Sequence, residues 1–180
     1  MKSICVYCGS NPGSNPLYSH HAQKLGQVLA LLKITLVYGG SHLGLMGLLA
    51  DSALENGGRV IGVIPRTLVD QERAHPSLSE LEVVANMHER KRRMCDLAEG
   101  FIALPGGFGT LEEVLEQATW SQLGLQKKPV GFLNSGGYYS RLFDFLEHAA
   151  REGFLSRDFL YSCVIAEDPL ALVGKLTKMG

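Results

Sequence analysis

The 180 residues are enough for one domain with a full core, and 46% of them are hydrophobic. A net charge of −1 and a sequence pI near 6.6 give no electrostatic reason to expect nucleic acid or a membrane surface as partner. No apolar run approaches the ~20 residues of a membrane span. The opening Met1 to Cys8 is interrupted by Gly9-Ser10-Asn11-Pro12 too soon for a signal peptide, so a cytoplasmic protein is expected.

Short apolar runs alternate with helical stretches along the whole chain. The pattern predicts a strand over Ser3–Cys8 and a helix over Leu17–Leu32, then a strand over Ile34–Tyr38 and a helix over Leu45–Glu55. A strand over Arg59–Ile64 leads into a polar segment from Arg66 to Glu80, which holds Pro76 and reads as an irregular excursion near a site. A strand over Leu81–Ala85, a helix over Met87–Ala98, a strand over Phe101–Leu104 and a helix over Thr110–Leu125 follow. The chain closes with a strand over Val130–Leu133, a helix over Tyr138–Arg151, a strand over Cys163–Ala166 and a helix over Pro169–Lys178. Several strands are apolar throughout, as strands covered on both faces are. The fold class is therefore α/β: a doubly wound, Rossmann-like, mostly parallel sheet with helices on both faces, in one domain over residues 1–180.

Ligands of such sheets bind beyond the carboxyl ends of the strands. The sequences there are Cys8-Gly9-Ser10-Asn11, Tyr38-Gly39-Gly40-Ser41, Ile64-Pro65-Arg66 and Leu104-Pro105-Gly106-Gly107. Any one glycine turn is ordinary turn chemistry. Three converging on one edge favour a crevice, and Ser10 and Gly40 become candidate contacts.

Familiar motifs are missing. Gly39 to Gly44 is followed by Leu45 and Met46, not by the Lys and Ser/Thr of a P-loop. Gly107-Phe108-Gly109 begins a G-x-G-x-x-G, but Glu112 fills the third glycine position. No acidic residue ends the second strand to hold a ribose hydroxyl, which disfavours a nicotinamide dehydrogenase. The histidines show no metal-ligand spacing; His88-Glu89 has Arg92 where a second His would stand. Cys5 and Cys8, three apart on a strand, face opposite sides and are read as reduced core cysteines.

Pro105-Gly106-Gly107-Phe108-Gly109-Thr110-Leu111-Glu112-Glu113 joins a buried strand to a helix through a glycine-rich turn. Glycines let backbone approach an anion, and the free N–H groups of a helix start point at it. Thr110 to Glu113 also fits a capping box, with Glu113 reaching back to the Thr110 N–H. A cap alone needs no such turn, and a carboxylate beside a phosphate suggests chemistry on the rest of the ligand.

The second cluster is Met87-His88-Glu89-Arg90-Lys91-Arg92-Arg93-Met94. Met87, Met94, Cys95 and Ala98 define an apolar stripe, and Arg90 and Lys91 fall on it at i+3 and i+4 from Met87. Cations placed there require an anion, either a phosphorylated ligand or a buried carboxylate, or else they snorkel to solvent.

P-G-G-x-G-T-x-x-E at Pro105 to Glu113, with M-x-x-R-K at Met87 to Lys91, resembles the LOG family of cytokinin riboside 5′-monophosphate phosphoribohydrolases. Members often carry the label "lysine decarboxylase-like". The resemblance covers nearly the whole chain, including Cys8-Gly9-Ser10 and Tyr38-Gly39-Gly40. It implies hydrolysis of the N-glycosidic bond of an adenosine 5′-monophosphate, often N6-prenylated, to free base and ribose 5-phosphate. Arg90 and Glu113 would then be the catalytic pair. Gly106, Gly107, Phe108, Gly109, Thr110, Leu111 and Glu112 would line the substrate, the phosphate lying on Gly107 to Thr110; Lys91, Glu72 and Thr119 would complete the site. The family is typically dimeric, and no metal or cofactor is expected.

In this scheme Glu113 stabilises positive charge on the sugar and orients or deprotonates water. A guanidinium gives up its proton too reluctantly to serve as the acid, so Arg90 would position Glu113 and hold the ribose or base. The rival is a non-catalytic nucleotide or molybdenum-cofactor carrier of the same fold, which needs neither residue. A pyridoxal-dependent lysine decarboxylase fits poorly: the chain is short for that class, and no lysine stands at a strand-end site.

Overall fold

The computed structural model describes residues 1–69, 71 and 73–179. Among these, seven strands form one parallel sheet in the order β4-β3-β2-β1-β5-β6-β7. The strands are β1 (Ser3–Tyr7), β2 (Thr35–Tyr38), β3 (Val60–Pro65), β4 (Glu80–Val84), β5 (Phe101–Ala103), β6 (Val130–Leu133) and β7 (Val164–Ala166). The helices are α1 (Pro16–Leu31), α2 (Gly44–Glu55), α3 (Arg66–Val69), α4 (Met87–Leu97), α5 (Phe108–Gln122), α6 (Ser140–Arg151), α7 (Arg157–Ser162) and α8 (Pro169–Leu176). The α/β expectation holds. No helix among the described residues is long and apolar enough to cross a membrane.

The chain builds outward from β1 through β2 and β3 to β4, then returns to lay β5 against the other side of β1. In register, Val6 pairs with Tyr38 on one side and with Ile102 on the other. The order reverses at β1, so the loops leaving β1 and β5 diverge and open a crevice between them.

The inner strands β1, β2, β3, β5 and β6 are apolar on both faces because each face has its own core, whereas the edge strand β4 carries Glu80 and Glu82 toward solvent. Ile4, Val6 and Cys8 join Leu25, Leu29, Leu45, Leu49 and Leu172 beneath α1, α2 and α8. Cys5 and Tyr7 join Met94, Val114, Phe132 and Tyr139 beneath α4, α5 and α6. Cys5 and Cys8 thus lie on opposite faces, both buried and unpaired. Burying each Leu or Phe contributes about 2 kcal/mol, so the two layers dominate the favourable side of folding.

Two helix starts that frame the crevice are fixed by side chains. Asn15 Oδ1 accepts from Leu17 N–H at 3.0 Å, with Pro16 opening α1. Asn86 Oδ1 accepts from Glu89 N–H at 2.9 Å, and Glu89 Oε2 accepts from Ala85 N–H at 2.9 Å. This second pair orients α4 and everything it carries.

Some expectations are corrected. The helix expected from Thr110 begins at Phe108, capped by Gly107 with no side-chain hydrogen bond. The Thr110–Glu113 capping box is therefore absent; Thr110 lies inside the first turn, and Glu113 turns toward α4. The Arg66–Glu80 excursion starts as the short α3, and α7 lies between Arg151 and Cys163, where the pattern predicts no element.

Candidate active site

A cavity of about 540 Å³ lies over the β1/β5 divergence. Its wall is built by the loop after β1, the Gly39 to Met46 stretch, Leu68 and Arg73, the inner face of α4, and the Pro105 to Glu113 turn. Three of the four strand ends singled out by their sequences contribute to it as expected; the fourth enters through α3.

The turn is shaped by contact. A Cβ on Gly106 would lie 2.1 Å from Thr110 Oγ1 and 2.9 Å from Gly9 N, so only glycine lets the β1 and β5 loops meet there. A Cβ on Gly107 or Gly109 would meet nothing within 4 Å, because these positions face open space. Leu111 N–H is the first in α5 to bond back, to Gly107 C=O at 3.1 Å. The N–H groups of Gly107 to Thr110 bond to no other described residue. They form the partial positive end of a fifteen-residue helix, open toward the cavity.

Arg90 and Glu113 are both buried, and both line the cavity. Arg90 Nε donates to Val63 C=O at 3.1 Å, and Nη2 donates to Gly39 C=O at 3.2 Å. Two strand ends thus clamp the guanidinium, leaving Nη1 to face Glu113 Oε1 at 3.5 Å. Burial raises the pKa of Glu113 above the ordinary carboxylate value, and the Arg90 charge opposes that rise. A buried carboxylate is the anion that the inward stripe of α4 required.

Lys91 meets a different answer. Its Nζ bonds Glu112, and Glu116 Oε1 at 3.0 Å, tying α4 to α5. It is absent from the cavity wall. Its pKa is raised, chiefly by the hydrogen bond to Glu112. Thr119 stands two turns beyond Glu113, with its hydroxyl donating to Leu115 C=O at 2.7 Å. Leu111 packs into the core beneath α5, and Gly40 is buried with its carbonyl accepting from His75 N–H at 2.9 Å; neither is on the cavity wall. Ser10, Gly106, Gly107, Phe108, Gly109, Thr110 and Glu112 all line the cavity. Glu72 lies outside the described residues.

Sequence reasoning missed Tyr18, Met46, Arg73 and Tyr138 on the wall. Tyr138 could have been suspected from Asn134-Ser135-Gly136-Gly137, a further glycine turn at the end of β6. Among the described residues, no cluster of three or more His, Cys, Asp or Glu side chains could hold a metal.

Fold and site define a parallel α/β protein that presents a helix N-terminus and a buried Arg–Glu pair to one crevice. A profile of the family described as "possible lysine decarboxylase" matches residues 46–176. The cytokinin riboside 5′-monophosphate phosphoribohydrolase LOG1 of Arabidopsis thaliana is 47% identical over 98% of this chain and 83% of its own length. LOG7 of the same plant, with the same activity in its name, is 50% identical over 87% of this chain and 72% of its own length. The molybdenum cofactor binding protein of Rippkaea orientalis has a TM-score of 0.74 at 22% identity, covering 99% of this chain and 97% of that one. That likeness is one of fold. The chain belongs to the "possible lysine decarboxylase" family, and within it to the LOG group.

Proposed function

We infer that this protein hydrolyses the N-glycosidic bond of an adenosine 5′-monophosphate, bare or N6-prenylated, releasing the base and ribose 5-phosphate. The observation that carries the reading is the placement of buried Glu113 one turn beyond the open N-terminus of α5, with Arg90 beside it. A phosphate received by the N–H groups of Gly107 to Thr110 would bring the attached ribose against Glu113. As the C1′–N9 bond breaks, positive charge grows on the sugar, and a desolvated carboxylate stabilises it strongly. Water then adds its oxygen to C1′. One of its protons passes to Glu113 and on to solvent, and the base leaves as its neutral form after taking up a proton. Arg90, held by Val63 and Gly39, keeps Glu113 ionised and aimed.

The relatives named for this activity support the reading, and Lys91 serves it by aligning α4 with α5. A cytoplasmic homodimer that binds no nucleic acid belongs to the same proposal. The test is incubation with AMP, isopentenyladenosine monophosphate and unphosphorylated riboside, followed by chromatography for free base. Release from the monophosphates and far less from the riboside is expected. No release from any of the three would favour a carrier.

A further inference from the structure

Residues just beyond β6 hold the Pro105 turn. Tyr138 and Tyr139 follow a short 3-10 turn at Ser135–Gly137, and their hydroxyls reach back across the mouth of β5. Tyr139 donates to Leu104 C=O at 2.6 Å and is buried, so it is part of the core. Tyr138 differs. It is 39% exposed, lines the cavity and donates to Gly106 C=O at 2.7 Å.

We propose that Tyr138 is a positioning residue for the phosphate end of the cavity, holding the Gly106 carbonyl so that the following N–H groups stay presented to the anion. The proposal rests on the phosphoribohydrolase reading of the crevice. Tyr138 is the one described residue that bonds the Gly106 carbonyl. A trans peptide points its C=O and its N–H in opposite directions, so anchoring the Gly106 oxygen also fixes the Gly107 N–H. Released, the carbonyl could rotate toward the phosphate and repel it. The carbonyls on either side have backbone partners of their own, Pro105 C=O accepting from Gly9 N–H and Gly107 C=O from Leu111 N–H, each at 3.1 Å, so the Tyr138 hydroxyl is what holds the carbonyl between them.

The ring is held independently of its hydroxyl. Tyr18 packs edge-on against it at 5.4 Å, and Tyr139 does so at 5.0 Å. Tyr18 is itself seated beneath Gly13, where an added Cβ would lie 2.8 Å from its ring. Tyr138→Phe should therefore remove the hydrogen bond and leave the ring in place.

The experiment compares wild type and Tyr138→Phe in turnover of AMP and in calorimetric binding of AMP, ribose 5-phosphate and adenosine. In the variant KM for AMP should rise about three- to tenfold, the equivalent of one lost hydrogen bond. Meanwhile kcat should stay within about twofold, because the reacting end is untouched. Affinity for ribose 5-phosphate should fall by the same factor as that for AMP, adenosine binding should not change, and melting temperature should fall by no more than a few degrees, the cost of one internal hydrogen bond. Unchanged KM and ribose 5-phosphate affinity would overturn the proposal while leaving the reaction standing, and so would an equal loss for adenosine. If wild type binds AMP without cleaving it, the phosphate-selective loss of binding still supports Tyr138 while the hydrolase reading fails. If wild type binds neither AMP nor ribose 5-phosphate, both ideas fall.

Discussion

Glu113 is the residue on which the proposed chemistry turns, and its environment sets its own tests. Glu113→Gln keeps the size and removes the charge that would face the sugar. Turnover should fall roughly a hundredfold or more while AMP still binds; a variant of near-normal kcat would remove Glu113 from the mechanism. Burial lifts the carboxyl above the ordinary 4.5. The active carboxylate is thus lost at a higher pH than an exposed glutamate would be, and the acid limb of kcat/KM should have its midpoint above 4.5. The same shift bears on stability. The native state holds this proton more tightly than the unfolded chain does, so its stabilising contribution is full below the unfolded value. That contribution is lost as pH rises through the folded one. Wild type should accordingly lose melting temperature relative to Glu113→Gln across that window, and parallel melting curves would contradict the shift. Arg90→Ala strands a buried carboxylate and should cost roughly 3 kcal/mol. Adding Glu113→Gln to it should recover part of that loss in a double-mutant cycle.

Among the elements, the turn between β5 and α5 was the most legible in the sequence, yet its helix start was misplaced by two residues. Thr-x-x-Glu has the spacing of a capping box, and local pattern could not reveal that Glu113 has a stronger partner on another helix. That partner, Arg90, is three residues from Met87 on the stripe of α4, which is why an inward cation was readable. What it touches was not, since Val63 and Gly39 come from two other strands. Lys91 shares the stripe but meets Glu112 and Glu116, a pairing that depends on how two helices pack. α7 escaped notice because its six residues carry too short a pattern. Substitutions at glycines separate the elements' roles. A Cβ on Gly39 would lie 2.0 Å from Arg90 Nη2, so Gly39→Ala should displace the guanidinium and lower kcat in a folded protein. Gly109→Ala meets no atom and favours the helix by up to about 1 kcal/mol. It should raise the melting temperature yet raise KM for AMP, because its methyl stands among the N–H groups offered to the phosphate.

At the scale of the molecule, the alternating pattern made the parallel sheet readable, since its inner strands had to be apolar on both faces. Strand order was not readable from pattern alone. The return from β4 to β5, which creates the crevice, is a long-range choice made by two cores closing on one sheet. The same helix that begins at the site ends on the surface: Trp120, Leu123 and Leu125 close α5 and its following turn, with the two leucines about two-thirds exposed. Leu125 N–H bonds Trp120 C=O at 2.9 Å, so the three form one local apolar feature. Apolar side chains left in water at the end of a site-forming helix suit burial against a second copy of the chain. Under the homodimer proposal, Leu123→Asp should shift sedimentation from dimer toward monomer and leave the monomer folded, as its circular dichroism would report. If the subunits also support the site through α5, KM for AMP should rise as the protein is diluted toward the monomer. A wild-type protein that sediments as a monomer at micromolar concentration would refute the dimer without touching the chemistry assigned to Glu113.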